Sequence, residues 1–175
     1  MARVNNPALI RSDNPFPAAN FSRWVGLVIV VAICIGVGLL GAIATRQSLI
    51  DWYPMLRKPS WNPPSWIFGP VWTTLYIMMA VAAWLIWQIN GPFHRLGLGL
   101  FVVQLILNAF WSPLFFGIRS PGLALIDIIA LWIAILATTL VFSRSSRVAA
   151  ALLLPYLVWV SFATGLNFEL WKLNP

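Results

Sequence analysis

The stretch from Trp52 to Trp87 combines six tryptophans with five prolines, and from Pro59 onward it carries no charge. Indole rings are large, flat and apolar, and they pack well against other aromatic rings. Membrane spans usually keep tryptophan at the two interfaces, whereas here tryptophan extends from a Pro-rich loop into an apolar segment. The pattern predicts a binding surface for a flat, apolar, aromatic ligand.

An interfacial aromatic belt is the alternative interpretation of the tryptophans. It suits those near the ends of apolar segments, which are Trp24, Trp84, Trp87 and Trp171. A second group lies inside the segments and consists of Trp72, Trp111, Trp132 and Trp159. These rings could fill the core, but helix–helix interfaces in lipid favour small residues. Large aromatic residues on several helices instead favour a cavity that holds a planar guest.

Residues for acid–base, nucleophilic or metal chemistry are sparse. The sequence lacks the GxSxG, HExxH, Walker and GxGxxG motifs. Asp127 is the one acid clearly inside an apolar segment, so a carboxylate pair sharing a proton is not expected. It is interpreted as structural, paired with Arg119 or hydrogen-bonded to a neighbouring helix, with proton-coupled transport as the alternative. Cys34 and His94 are single residues of their type, so we expect no metal site and no required cofactor.

The composition predicts an integral membrane protein. The chain of 175 residues is 61% hydrophobic and 9% charged, well below the roughly 25–35% charged residues of a soluble surface. Its net charge of +7 is scattered over tails and connections, which suits lipid headgroups and topology rather than nucleic acid.

Five apolar segments are long enough to cross a hydrocarbon core of about 30 Å. We predict an all-α bundle of five transmembrane helices, a folded Pro/Trp-rich first loop and a multi-pass membrane location. The transmembrane domain is predicted at residues 23–175, after a polar tail over residues 1–22. The predicted spans are residues 24–44, 66–89, 96–117, 123–142 and 148–170.

Helical periodicity groups several candidate residues on common faces. Trp72 and Tyr76 share a face of the second span, and Gln104, Asn108 and Trp111 share a stripe of the third. Unpaired amides are costly in hydrocarbon, so this stripe should face the interior of the bundle. The two amides could join helices by hydrogen bonds or line a ligand site, and the pattern leaves both interpretations open.

Three blocks carry a more specific signal: WYPMLRKPSWNPPSWIFGPVWTTLY (52–76), QLILNAFWSPLFFG (104–117) and LLLPYLVWVSFATGLNFELWKLN (152–174). In type and order they resemble the tryptophan-rich sensory protein family, also known as the translocator protein or peripheral benzodiazepine receptor family. The resemblance covers about residues 25–174. It implies a five-helix bundle whose first loop closes a cavity, with membrane lipid around it and a homodimer as a common assembly.

The resemblance also implies a function and a set of site residues. The function is that of a membrane receptor or sensor that binds porphyrins, or other flat hydrophobic ligands, in an aromatic cavity. The alternatives are a translocator of porphyrin or sterol and a light-dependent porphyrin-degrading activity. The implied ligand-binding residues are Trp61 and Trp66 in the lid, Trp72 and Tyr76 in the second span, Asn108 and Trp111 in the third, and Trp159 and Ala163 in the fifth.

The chain departs from the family pattern at two places. Phe168 stands where the family's sterol motif has a tyrosine, and the missing hydroxyl argues against sterol as the ligand. Gly99 is followed four positions later by Val103 instead of the second glycine of a GxxxG dimerisation pattern.

Overall fold

The computed structural model describes residues 18–175, with side chains from Ser22 onward, and this part of the chain folds into helices. The α-helices are α1 (Ala18–Arg46), α2 (Ser48–Asp51), α3 (Phe68–Trp87), α4 (His94–Ser112), α5 (Pro121–Ser143) and α6 (Arg147–Leu173). Short 3-10 turns cover Tyr53–Met55 and Ser65–Ile67, and a π-helical turn covers Pro113–Gly117.

Five helical segments are long and apolar enough to cross a membrane: Ser22–Arg46, Ser65–Trp87, His94–Gly117, Pro121–Ser143 and Arg147–Leu173. The predicted five-span membrane fold is thereby confirmed. The predicted ends fall within about three residues of the observed ones except at the start of the first helix, and shifts of this size are usual for helix boundaries. At the start of the first helix, α1 already includes residues 18–22 of the predicted tail. The rest of that tail, residues 1–17, lies outside the described part of the chain.

The five long helices form a closed ring in the order α1, α3, α6, α5, α4, because each packs against the next and α4 returns to α1. Small residues such as Ala80 and Ala83 on α3 are fully or almost fully buried where the helices meet, as expected for close approach in lipid. The large core residues include Met79, Leu131 and Tyr156. The ring leaves room at its centre, toward the end where α3 begins.

The first loop folds back onto that end of the ring, as predicted. The Ser48 hydroxyl of α2 donates to the Phe116 carbonyl at 2.6 Å. Farther along, the Arg57 backbone N–H donates to Asn174 Oδ1 at 2.9 Å, and Asn174 Nδ2 donates to the Arg57 carbonyl at 3.0 Å. The loop is therefore held both to the turn after α4 and to the residue that follows α6.

Arg119 does not pair with Asp127, so that sequence-based interpretation is wrong. The Arg119 guanidinium lies 3.0 Å from Asp51 Oδ2, and this ion pair adds a further link between α2 and the α4–α5 connection. Arg119 has a left-handed backbone with φ 55° in this connection, whereas Asp127 lies almost two turns inside α5. The buried Asp127 Oδ2 has no hydrogen-bond partner within residues 18–175.

At Gly38, α1 lies close against the Tyr76 ring of α3 in the wall of the central cavity. A Cβ atom at Gly38 would lie 2.6 Å from the Tyr76 ring, whereas a Cβ at Gly36 would have nothing within 4 Å. The Tyr76 ring cannot move freely, because its hydroxyl donates to Asn108. Only a glycine at position 38 allows this approach without moving the ring.

We expect Gly38→Ala to destabilise the protein by about 1–3 kcal/mol, the usual cost of overpacking. Gly36→Ala is the matched control and should be neutral or should gain up to about 1 kcal/mol of helix propensity. The midpoint of thermal unfolding in detergent measures both changes. Equal midpoints for the two variants would contradict the close approach at Gly38.

Candidate ligand-binding cavity

A cavity of about 450 Å³ occupies the centre of the ring at the end covered by the first loop. All five long helices contribute to its wall, and its lining is mainly apolar with a few polar groups. This volume lies within the range of about 300–1,000 Å³ found for small-molecule sites. The cavity ends near the middle of the bundle, where the helices close on one another.

Six of the eight predicted site residues line this single cavity: Trp72, Tyr76, Asn108, Trp111, Trp159 and Ala163. The Trp72 ring packs against Tyr76, with ring centres 5.6 Å apart, and meets the edge of Tyr156 at 6.2 Å. One turn earlier on α3, Phe68 packs edge-on against Trp159 of α6, with ring centres 5.8 Å apart. The indoles therefore come from α3, α4 and α6 and converge on one space.

The two predicted lid residues, Trp61 and Trp66, do not line the cavity. Trp66 is 73% exposed, and it lies in the 3-10 turn beside Ser65, which does line the cavity. Trp61 is 47% exposed and packs edge-on against Phe162, which is also absent from the lining. The regular period of α3 begins only at Phe68, after this turn, so the sequence could not tell which of Ser65 and Trp66 faces inward.

A hydrogen-bonded chain of three side chains closes the cavity at its inner end. The Tyr76 hydroxyl donates to Asn108 Oδ1 at 2.5 Å, and Asn108 Nδ2 donates to the Tyr156 hydroxyl at 2.9 Å. All three residues are buried. Asn108 therefore joins α3, α4 and α6 by hydrogen bonds and also lines the cavity.

A second amide fixes the orientation of Trp111. Its Nε1 donates to Asn167 Oδ1 at 3.0 Å, and Asn167 Nδ2 donates to the Pro121 carbonyl at 2.8 Å. The indole also stacks on Phe115, with ring centres 5.1 Å apart. The orientation of the Trp111 indole is therefore set by stacking on Phe115 and by a hydrogen bond to Asn167 of α6, which in turn binds the start of α5.

Sequence reasoning missed several lining residues, among them Tyr53, Phe68, Phe115, Phe116 and Asn167. Phe115 and Phe116 lie in the π-helical turn that begins at Pro113. A π turn changes the angular position of the residues that follow, so the 3.6-residue period of α4 does not predict which way they face. Asn167 follows the helical period of α6, four residues after Ala163, and could have been found from it.

Two other predicted residues have different roles. Gln104 is buried at 1% exposure and neither amide atom has a partner within residues 18–175; it neither joins helices nor lines the cavity. Trp132 Nε1 donates to the Ser161 hydroxyl at 2.8 Å, which joins α5 to α6 away from the cavity lining.

The sequence profile of the TspO/MBR family matches residues 30–172 of the chain. The chain is 46% identical over 153 residues to the tryptophan-rich protein TspO of Chlorobaculum tepidum, covering 85% of this chain and 96% of that protein. It is 46% identical over 128 residues to the translocator protein of Homo sapiens, with coverages of 71% and 76%. It is 38% identical over 154 residues to the tryptophan-rich sensory protein of Cereibacter sphaeroides, with coverages of 86% and 92%.

The two buried amides of α4 should respond differently to replacement by leucine. Asn108→Leu leaves two buried tyrosine hydroxyls without their partner, which costs about 1–3 kcal/mol for each group left unsatisfied. Gln104→Leu removes an amide that has no partner within the described residues, so it should be neutral or stabilising. Thermal unfolding of the two purified variants in one detergent makes the comparison. If Gln104→Leu lowered the thermal unfolding midpoint as much as Asn108→Leu, the different roles assigned to the two amides would be contradicted.

Proposed function

This chain belongs to the TspO/MBR family, and we propose that it is a membrane receptor or sensor that binds a porphyrin in the central cavity. The observation that carries the proposal is the convergence of Trp72, Trp111 and Trp159 from three helices on one cavity. Flat aromatic guests gain from offset stacking and edge contacts with such rings. A sterol, which is apolar but not aromatic, would gain less from this wall.

An unused hydrogen-bond donor in the cavity wall supports a bound ligand. Trp159 lines the cavity, and its buried Nε1 has no partner within residues 18–175. A buried indole N–H usually finds an acceptor. A ring nitrogen or a substituent oxygen of a bound ligand would supply one.

The choice of tetrapyrrole follows from the position of the single histidine. His94 Nδ1 lies 3.1 Å from the Ile86 carbonyl, near the end of α3 that is far from the cavity. It is therefore not available to ligate a porphyrin iron in the cavity. A free-base porphyrin, or a tetrapyrrole that needs no protein ligand, fits this site better than haem ligated through histidine.

The closed inner end of the cavity favours ligand binding over transport of a ligand along the bundle axis. The chain of Tyr76, Asn108 and Tyr156 lies across that end, and Tyr156 is completely buried. Below it the core is filled by residues such as Met79 and Ile135. A ligand that entered from the loop end would leave by a route at that end, which suits a receptor or sensor.

Light-dependent porphyrin breakdown is a second candidate, favoured by Trp72 and Trp159 lining the same cavity. Indoles beside a photoexcited porphyrin can take part in radical chemistry, which needs no acid–base machinery. Absorbance traces of the complex in the dark, in light, and in light without oxygen separate the two functions. A pure binder shifts the Soret band without bleaching it.

Sterol binding and a homodimer remain predictions from the resemblance. Phe168 is 44% exposed on the outside of the bundle and does not line the cavity. A sterol recognised there would use a separate, lipid-facing surface.

Trp72→Phe and Trp159→Phe should each weaken protoporphyrin binding about two- to tenfold, because an aromatic pair contributes about 0.5–1.5 kcal/mol beyond area burial. Tryptophan fluorescence quenching of the detergent-solubilised protein measures the affinity. Trp66→Phe and Trp171→Phe are matched controls outside the lining and should leave it unchanged. Unchanged affinity in both cavity variants would show that the porphyrin binds elsewhere.

A further inference from the structure

A second cleft, of about 390 Å³, adjoins the cavity where the first loop meets α2. Three residues, Leu49, Tyr53 and Ser65, line both spaces, so cavity and cleft meet at these residues. The rest of the cleft is formed by the loop, from residues Pro54, Asn62, Pro63 and Pro64. The cleft is more open than the cavity and lies at its aqueous end, since the first loop carries the nearby charged side chains.

Polar groups distinguish the cleft from the mainly apolar cavity. The Tyr53 hydroxyl donates to Asn62 Oδ1 at 2.9 Å, and Asn62 Nδ2 donates to the Pro63 carbonyl at 3.1 Å. Burial raises the pKa of Tyr53, which its hydrogen bond to Asn62 partly offsets, so the phenol stays a neutral donor at physiological pH. The Ser65 hydroxyl adds a further polar group where the cleft meets the cavity.

A lysine that contacts two of the lining residues supplies positive charge beside the cleft. Lys58 Nζ donates to the carbonyls of Pro54 at 3.2 Å and Leu56 at 3.1 Å, and it lies 4.8 Å from the centre of the Tyr53 ring. Both Pro54 and Tyr53 line the cleft. An ammonium group has three N–H donors, so one remains for a ligand.

No acid among residues 22–175 forms an ion pair with Lys58. The residues that line the cleft include no aspartate or glutamate. Asp51, on α2 beside the loop, is engaged by Arg119 at 3.0 Å. The site at the mouth of the apolar cavity is therefore polar and positive.

The loop that carries Lys58 is fixed in place before any ligand arrives. The neighbouring residue, Arg57, is held by Asn174 through both its backbone N–H and its carbonyl. Trp61 packs against Phe162 of α6 on the other side of Lys58. Such preorganisation lowers the entropy lost when a ligand binds.

We propose that the cleft holds the carboxylate edge of an amphipathic ligand whose flat, apolar ring system occupies the cavity. This inference rests on the proposed function and narrows it to flat ligands with acidic groups at one edge. The carboxylate stays near water and Lys58, so it escapes the high cost of burying a charge in the bundle. Hydrogen bonds between charged partners are also stronger than neutral ones.

The test compares protoporphyrin IX with its dimethyl ester, which has the same ring system but no charge. Both are titrated into the full chain in detergent, with tryptophan quenching as the readout. Wild-type protein should bind the diacid about three- to tenfold more tightly than the ester, the size expected for a partly exposed charged contact. Lys58→Met should remove this preference by weakening the diacid alone, and Lys58→Arg should restore most of it.

Lys172→Met is the matched control, since Lys172 is an exposed lysine near the same end of the bundle but outside both linings. It should keep the wild-type preference for the diacid. An unchanged ester affinity in Lys58→Met reports that the cavity itself is intact.

The outcomes separate the two proposals. Equal affinity of wild-type protein for diacid and ester, or a preference that survives Lys58→Met, overturns the cleft inference and leaves porphyrin binding in the cavity standing. Loss of both diacid and ester affinity in Lys58→Met also overturns it, because the lysine then acts through the fold. If wild-type protein binds neither porphyrin, both proposals fail.

Discussion

The structure depends on one amide, that of Asn108, which joins Tyr76 of α3 to Tyr156 of α6 at the centre of the bundle. In a bilayer no water is available to satisfy polar groups, so each must find a partner inside the protein. The three groups satisfy one another, and their position fixes where three helices meet. The same chain closes the cavity, so the interaction that stabilises the bundle also sets the depth of the site.

The walls of the cavity follow from how the ring of helices is held at its loop end. The π turn at Pro113–Gly117 brings Phe115 and Phe116 inward, where Phe115 stacks on Trp111. Asn167 Oδ1 accepts a hydrogen bond from the Trp111 indole N–H, and Asn167 Nδ2 donates to the Pro121 carbonyl. Apolar rings are thus oriented by a few polar contacts, which is the usual composition of a specific small-molecule site.

The first loop combines a structural task with a place in the site. Ser48, Asp51 and Arg57 hold it to three different parts of the bundle. Between these contacts, Tyr53 and Ser65 line both the apolar cavity and the polar cleft, so the two spaces meet there. A ligand in these two spaces would meet aromatic rings in the lipid-level part of the bundle and a lysine at its aqueous edge.

The sequence by itself determined the membrane class, the five spans and the aromatic character of the site, because hydropathy, span length and residue type are local properties. Six of the residues implied by the family resemblance meet in the cavity. Helical periodicity alone placed Trp72 with Tyr76, and Asn108 with Trp111, on common faces, since it reports faces within regular helices. Only the tertiary structure decided what happens where that period is absent. It turned Ser65 rather than Trp66 inward, rotated Phe115 and Phe116 through a π turn, and paired Arg119 with Asp51 instead of Asp127. These outcomes depend on contacts between segments far apart in the chain, which no local pattern contains.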